Sequence, residues 1–289
     1  MKKTLLFAGT RPEAIKILPV YSALRKKNGI SAKLVATGQH REMLAQAFTD
    51  FGVTPDISLD VMAGGQTLAA LSSRLFTTVD RLLEKEMPDA VFVQGDTTTV
   101  QVTALCAFYR KIPIGHVEAG LRSGNMHAPF PEELNRRVAG LAASWHFAPT
   151  RRAADNLLAE GVEERTILVS GNTVIDSLLL MRDLALASPP ALPRKVADVV
   201  ESDHRIILVT GHRRENFGDG FKQICEAVLA LADAFTDIRI VYPVHLNPNV
   251  QNIVKRLLDA HPRIVLTSPL SYKPFVYLMN KSHIILSDS

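Results

Sequence analysis

Five short segments set charged or nucleophilic side chains just past an apolar run. They are Gly9-Thr10-Arg11-Pro12-Glu13, Gln94-Gly95-Asp96-Thr97, His116-Val117-Glu118-Ala119-Gly120, Pro131-Glu132-Glu133-Leu134-Asn135-Arg136-Arg137 and Gly211-His212-Arg213-Arg214-Glu215-Asn216. Four of them follow or close runs that read as buried strands: Leu5 to Ala8, Ala90 to Val93, Ile112 to Gly115 and Ile206 to Val209. Loops at the carboxyl ends of parallel strands are where open α/β sheets bind ligands. Acidic and basic groups gathered there suit acid–base chemistry on an anionic substrate, which is the work of an enzyme.

Asp96 and Glu118 are the leading acid–base candidates, because a carboxylate at a buried strand end is costly unless it serves a ligand or a partner. The competing reading of Asp96 is a helix cap ahead of Thr97-Thr98-Thr99. His116 stands two residues before Glu118, so continued strand geometry would point both the same way. Glu132 beside Pro131 could project into a cleft, whereas Glu133 and Arg137 read as a structural i,i+4 pair. Arg11 and Lys16 near a helix start, and the basic knot His212-Arg213-Arg214, suit a phosphate or diphosphate. There is no Gly-x-Gly-x-x-Gly and no P-loop, which leaves dinucleotides and ATP hydrolysis without support. No His spacing supports zinc, so neither a metal nor a cofactor is expected.

The elements that must position these groups alternate. Strand-like runs at Thr4–Ala8, Ala32–Thr37, Ala90–Gln94, Pro113–Val117, Trp145–Ala148 and Thr166–Val169 are separated by helical patterns such as Glu13–Lys27, Thr67–Glu86, Val100–Arg110, Glu132–Ala143 and Ala153–Glu160. Pro12 and Pro131 stand where first helical turns would begin. The proline cluster 187–193 reads as a connection. Beyond it strands return at Arg205–Thr210, Arg239–Tyr242, Ile264–Leu266 and Ile284–Leu286, with helices at Phe221–Ala234 and Val250–Asp259. This pattern predicts an α/β protein of two doubly wound domains facing across a cleft.

Composition agrees. A chain of 289 residues, 47% hydrophobic, has length and apolar content for two cores. Its 33 basic and 29 acidic residues leave a net charge of +4, too mild and dispersed for a nucleic-acid protein. Cys106 and Cys225 lie in apolar helical stretches and read as buried free thiols. Met1-Lys2-Lys3 runs into a short strand and a Gly turn rather than a leader, and no apolar run approaches the ~20 residues of a membrane helix. A soluble cytoplasmic protein is expected, with no membrane and no nucleic-acid partner.

Taken together, the segments closely resemble the non-hydrolysing UDP-N-acetylglucosamine 2-epimerase family. The matching stretches run in order along the whole chain: GTRPEAIKILPV (9–20), TGQHREML (37–44), QGDTTT (94–99), HVEAGLRS (116–123), PFPEELNRR (129–137), GNTVIDSL (171–178), TGHRRENFG (210–218), PVHLNPNV (243–250), PLSYKPFVYLM (269–279) and SDS (287–289). The resemblance implies two Rossmann-like domains in the GT-B arrangement. Residues 1–170 would form the sugar side with the acid–base residues, and 171–289 the UDP side. It also implies no redox cofactor, a cytoplasmic homodimer, and supply of UDP-N-acetylmannosamine for surface polysaccharide.

By the same resemblance the acid–base and electrostatic group falls on Lys16, Asp96, Glu118, Glu132 and His212. Contacts to uridine diphosphate fall on Arg11, Lys16, His212, Phe275 (beside the uracil) and Ser289. An effector site for a second UDP-N-acetylglucosamine would use Gln39, His40 and Glu42, although activated members carry Arg where this chain has Gly65. Family members continue Ser-Asp-Ser with Gly-Gly and a helix, so a second domain incomplete at its C-terminus is expected. The implied chemistry expels UDP from C1, which acidifies the C2 hydrogen, and passes through 2-acetamidoglucal before UDP adds back. It needs a base on one face of C2, an acid on the other and cations on the diphosphate. Three alternatives remain open: a hydrolysing epimerase releasing UDP and N-acetylmannosamine, a GT-B glycosyltransferase, and a catalytically dead nucleotide-sugar binding fragment.

Overall fold

The computed structural model describes residues 1–38, 41–61, 63–211 and 219–288; at 41–43, 219 and 249 only the backbone is described. The chain divides into two compact units, Met1–Leu179 and Leu180–Ser289.

The first unit alternates strand and helix: β1 (Lys2–Ala8), α1 (Arg11–Arg25), β2 (Ile30–Ala36), α2 (Arg41–Asp50), β3 (Ile57–Ser58), α3 (Leu68–Glu86), β4 (Ala90–Gln94), α4 (Thr98–Tyr109), β5 (Ile114–Val117), α5 (Glu132–Ala142), β6 (Trp145–Ala148), α6 (Arg151–Ala159), β7 (Ile167–Val169) and α7 (Thr173–Ala187). All the paired strands are parallel, in the order β3-β2-β1-β4-β5-β6-β7. Period-two alternation decides the packing. Leu5 and Phe7 of β1 face a core built with Leu75 and Val79 of α3 and Val102 and Cys106 of α4. Leu6 and Ala8 face the other way, onto Ile17, Leu18 and Tyr21 of α1 and Phe48 of α2. With both faces covered, the strands read as unbroken apolar runs.

The order reverses direction between β1 and β4, and such a switch point opens a crevice at the carboxyl ends of the two strands. A second feature fastens α7 beneath it. Pro19 inside α1 has no N–H, so the carbonyl of Ile15 loses its helical partner. The hydroxyl of Ser177, fully buried in α7, donates to that carbonyl instead.

The second unit contains α8 (Arg194–Val200), β8 (Arg205–Thr210), α9 (Asp219–Ala234), β9 (Ile238–Pro243), α10 (Pro248–Leu258), β10 (Ile264–Thr267), α11 (Tyr272–Lys281) and β11 (Ile284–Ser287). Its parallel sheet runs β10-β9-β8-β11, repeating the order β3-β2-β1-β4 of unit one. Ile207, Val209 and Tyr242 pack on α9 and α10, while Ile206, Leu208 and Val241 pack on α8 and α11.

The expected division at 170/171 falls ahead of α7. The compact units part within that helix, because Asn172 and Ser177 at its start are bonded into unit one. The proline cluster joins α7 to α8 within the second unit. Pro131 occupies the position before the first residue of α5 rather than its first turn. Cys106 and Cys225 are both buried and unpaired. Among the described residues no helix is long and apolar enough to cross a membrane.

Candidate active site

The site begins at the end of β1. A Cβ on Gly9 would lie 2.3 Å from Thr99 Oγ1 and 2.7 Å from Thr37 Oγ1, so only glycine lets this turn approach the neighbouring loops. Thr10 caps α1, its hydroxyl accepting from Glu13 N. Glu13 is 2% exposed and accepts from Gly9 N at 3.0 Å, Thr10 Oγ1 at 2.8 Å and Thr97 Oγ1 at 2.7 Å. Burial pushes its carboxyl up to about 7, against the opposing pull of those donors. Arg11 opens the helix and is exposed.

Lys16, a turn further on, reaches Glu118, with Nζ 2.7 Å from both carboxylate oxygens. Glu118 follows β5 at φ +66°, a left-handed conformation unusual outside glycine and typical of functional turns. Gln94 Nε2 donates to its Oε2 at 2.6 Å and Asn172 Nδ2 to its Oε1 at 2.9 Å. Side chains from α1, the end of β4 and the residue before α7 thus converge on one carboxylate.

Asp96 does not cap α4; that role belongs to Thr97, whose hydroxyl accepts from Val100 N. Arg136 Nη2 donates to Asp96 Oδ2, and Asn135 Nδ2 donates to the Asp96 carbonyl at 2.9 Å. Burial raises the Asp96 carboxyl above its ordinary range despite the Arg136 guanidinium, and the charges of Glu118 and Glu132 push the same way. Glu132 is half-buried in the first turn of α5, the helix that also supplies Asn135 and Arg136 to Asp96. Glu133 is fully buried, accepting from Ser123 N at 3.0 Å and from Arg137 Nε at 3.3 Å, in keeping with a structural role.

His116 and Glu118 do not share a strand face, because β5 ends at Val117 and the chain turns at Glu118. His116 is buried instead, its Nε2 2.7 Å from the Gly95 carbonyl, and burial drives its pKa down to about 4. Thr10, Arg11, Glu13, Lys16, Gln94, Asp96, Thr97 and Glu118 line a cleft of about 410 Å³. Among the described residues no cluster of His, Cys, Asp or Glu is arranged to hold a metal ion.

The structure thus gathers Arg11, Lys16, Asp96 and Glu118 at one crevice, and Glu132 lies in the helix whose Arg136 pairs with Asp96. Phe275 lies in α11 of the second unit, half-buried against the Ile206 and Leu278 cluster. His212, Ser289, Gln39 and His40 lie outside the described residues, as does the side chain of Glu42 in α2. Gly65 sits in the turn before α3 at φ +67°, which a side chain adopts only with strain. Glu13, Gln94 and Arg136 fall inside the five segments and Asn172 inside GNTVIDSL, but the sequence assigns none of them a role in the site; the Thr10-x-x-Glu13 spacing is that of a capping box.

Comparison with known proteins agrees with this geometry. The family model described as UDP-N-acetylglucosamine 2-epimerase matches residues 22–289. A Ralstonia nicotianae protein named probable UDP-N-acetylglucosamine 2-epimerase is 51% identical over 100% of this chain and 78% of its own length. The Escherichia coli K12 UDP-N-acetylglucosamine 2-epimerase is 47% identical over 99% of this chain and 77% of its own. The Neisseria meningitidis UDP-GlcNAc 2-epimerase, solved with UDP-GlcNAc bound, superposes with a TM-score of 0.84 at 43% identity, covering 100% of this chain and 78% of that one. With matches of this extent, the chain belongs to the UDP-N-acetylglucosamine 2-epimerase family.

Proposed function

We propose that the chain interconverts UDP-N-acetylglucosamine and UDP-N-acetylmannosamine by elimination and re-addition of UDP. The C1–O bond breaks with its electron pair going to the diphosphate, and positive charge builds at C1. A base then takes the C2 hydrogen as a proton, and the C–H pair becomes the C1=C2 bond of 2-acetamidoglucal. On return a diphosphate oxygen attacks C1 and a proton is delivered to C2 on the opposite face. Asp96, Glu118 and Glu132 serve the two proton transfers, while Arg11, Lys16 and His212 stabilise the departing diphosphate. Phe275 beside the uracil and Ser289 serve the nucleotide.

The observation that carries this reading is the convergence of Lys16 of α1 with Asp96 and Glu118, which follow β4 and β5, on one cleft. Asp96 supports it further: with its proton affinity raised by burial, it is suited to hold and release a proton. The relative crystallised with UDP-GlcNAc supports the substrate class. We further propose a cytoplasmic homodimer, with Gln39, His40 and Glu42 available to a second nucleotide sugar.

Incubation with UDP-N-acetylglucosamine alone, with products separated by chromatography, tests the reading. UDP-N-acetylmannosamine is the expected product. UDP with free N-acetylmannosamine would make the enzyme a hydrolysing epimerase, and no reaction until an acceptor is added would make it a glycosyltransferase.

A further inference from the structure

Glu13 has no cationic partner among the described residues, although it is buried at the edge of a cleft that contains lysine and arginine. A carboxylate in that position is expensive unless its hydrogen bonds demand it. They do. The capping threonines of two different helices, Thr10 of α1 and Thr97 of α4, both donate to it, and so does the Gly9 amide. A glutamine of the same length can accept from Gly9 N and Thr10 Oγ1 through its oxygen, but it then meets Thr97 Oγ1 with an NH2 group that can only donate.

The two helices begin on either side of the β1/β4 switch point. The first carries Lys16, and the turn just before the second carries Asp96. We infer that Glu13 is a positioning residue, whose carboxylate clamps the β1–α1 loop to the β4–α4 loop and so sets Lys16 and Asp96 against each other across the cleft. This rests on the epimerase reading for its consequence in turnover, but not for the clamp itself.

The test uses Glu13→Met, which keeps bulk and removes the acceptors, Thr97→Val, which removes the far donor, and the two combined. Each single change should lower kcat by roughly tenfold to a hundredfold, the range that a misplacement of about one ångström can cost. KM for UDP-N-acetylglucosamine should change by less than about threefold, since binding contacts remain. The double variant should lose less than the sum of the two singles, because the Glu13–Thr97 bond is counted in both. Thr97→Ser, which keeps the hydroxyl, should restore kcat, and Glu13→Gln, which keeps one acceptor, should fall between. Additive losses, or a lowered melting midpoint with kcat unchanged, would overturn the clamp. If Glu13→Met does not fold, the Thr97→Val and Thr97→Ser pair decides the matter alone. If the wild-type chain does not convert the substrate, the epimerase reading fails. The clamp is then judged on melting midpoints of the same variants, where additivity contradicts it.

Discussion

Lys16 Nζ lies 2.7 Å from each carboxylate oxygen of Glu118, a residue 102 positions away, while Gln94 and Asn172 donate to the same two oxygens. The pair is mostly buried, with side-chain exposures of 23% and 10%. Removing the lysine leaves the carboxylate with neutral donors only. Lys16→Met should therefore cost stability, by roughly 1–3 kcal/mol for a pair between surface and core. Glu118→Gln in the same chain should recover part of that loss while turnover stays impaired. Urea unfolding of the wild type, Lys16→Met, Glu118→Gln and the double variant checks this, and purely additive losses would contradict a coupled pair.

Arg136 and Asp96 form the second ion pair of the site. The guanidinium lowers the proton affinity of Asp96 and burial raises it, with burial prevailing. Arg136→Met removes the lowering influence, so Asp96 should hold its proton to still higher pH. The acid limb of kcat/KM is then expected to move upward. Asp96→Asn should abolish that limb and slow turnover by roughly 10²–10⁴, as for a lost acid–base group. A limb unmoved by Arg136→Met would contradict the assignment.

Two buried groups give the stability of the first unit opposing pH dependences. Glu13 titrates near 7 when folded against an ordinary value of 4.5, so its contribution is full below pH 4.5 and is lost as pH rises through about 7. His116 titrates near 4 against 6.5, so its contribution is full above pH 6.5 and is lost as pH falls through about 4. Glu13→Gln should remove the first slope and leave the second. Relative to wild type, the variant should lose stability on the order of 2–3 kcal/mol as pH falls from about 7.5 to 4.5. A gap between the two proteins that stays constant over that range would show that Glu13 is not shifted.

The strands were legible because parallel strands covered on both faces are continuous apolar runs; β4, β6 and β8 begin and end where the residues indicate. β3, only two residues long, carries no such pattern. α7 was not read as a helix, since its sequence TVIDSLLLMRDLALA is apolar nearly all round and shows no clear stripe. In the site, the residue types at strand ends pointed to Asp96 and Glu118, and those at helix starts to Lys16 and Glu132. Their partners were illegible, because Arg136 meets Asp96 across 40 residues, Asn172 meets Glu118 across 54 and Thr97 meets Glu13 across 84. No local spacing encodes such contacts; they follow from the order in which the strands are laid side by side. The separation of His116 from Glu118 has the same origin, in a left-handed residue that ends the alternation.

The central claim is that the C2–H bond is broken and remade through an eliminated intermediate. Turnover of UDP-N-acetylglucosamine in heavy water, with C2 of the product examined by NMR, tests it most directly. UDP-N-acetylmannosamine carrying deuterium at C2 is expected, because the abstracted proton exchanges with solvent before one is returned. Product that keeps its original hydrogen at C2 in every molecule would contradict it.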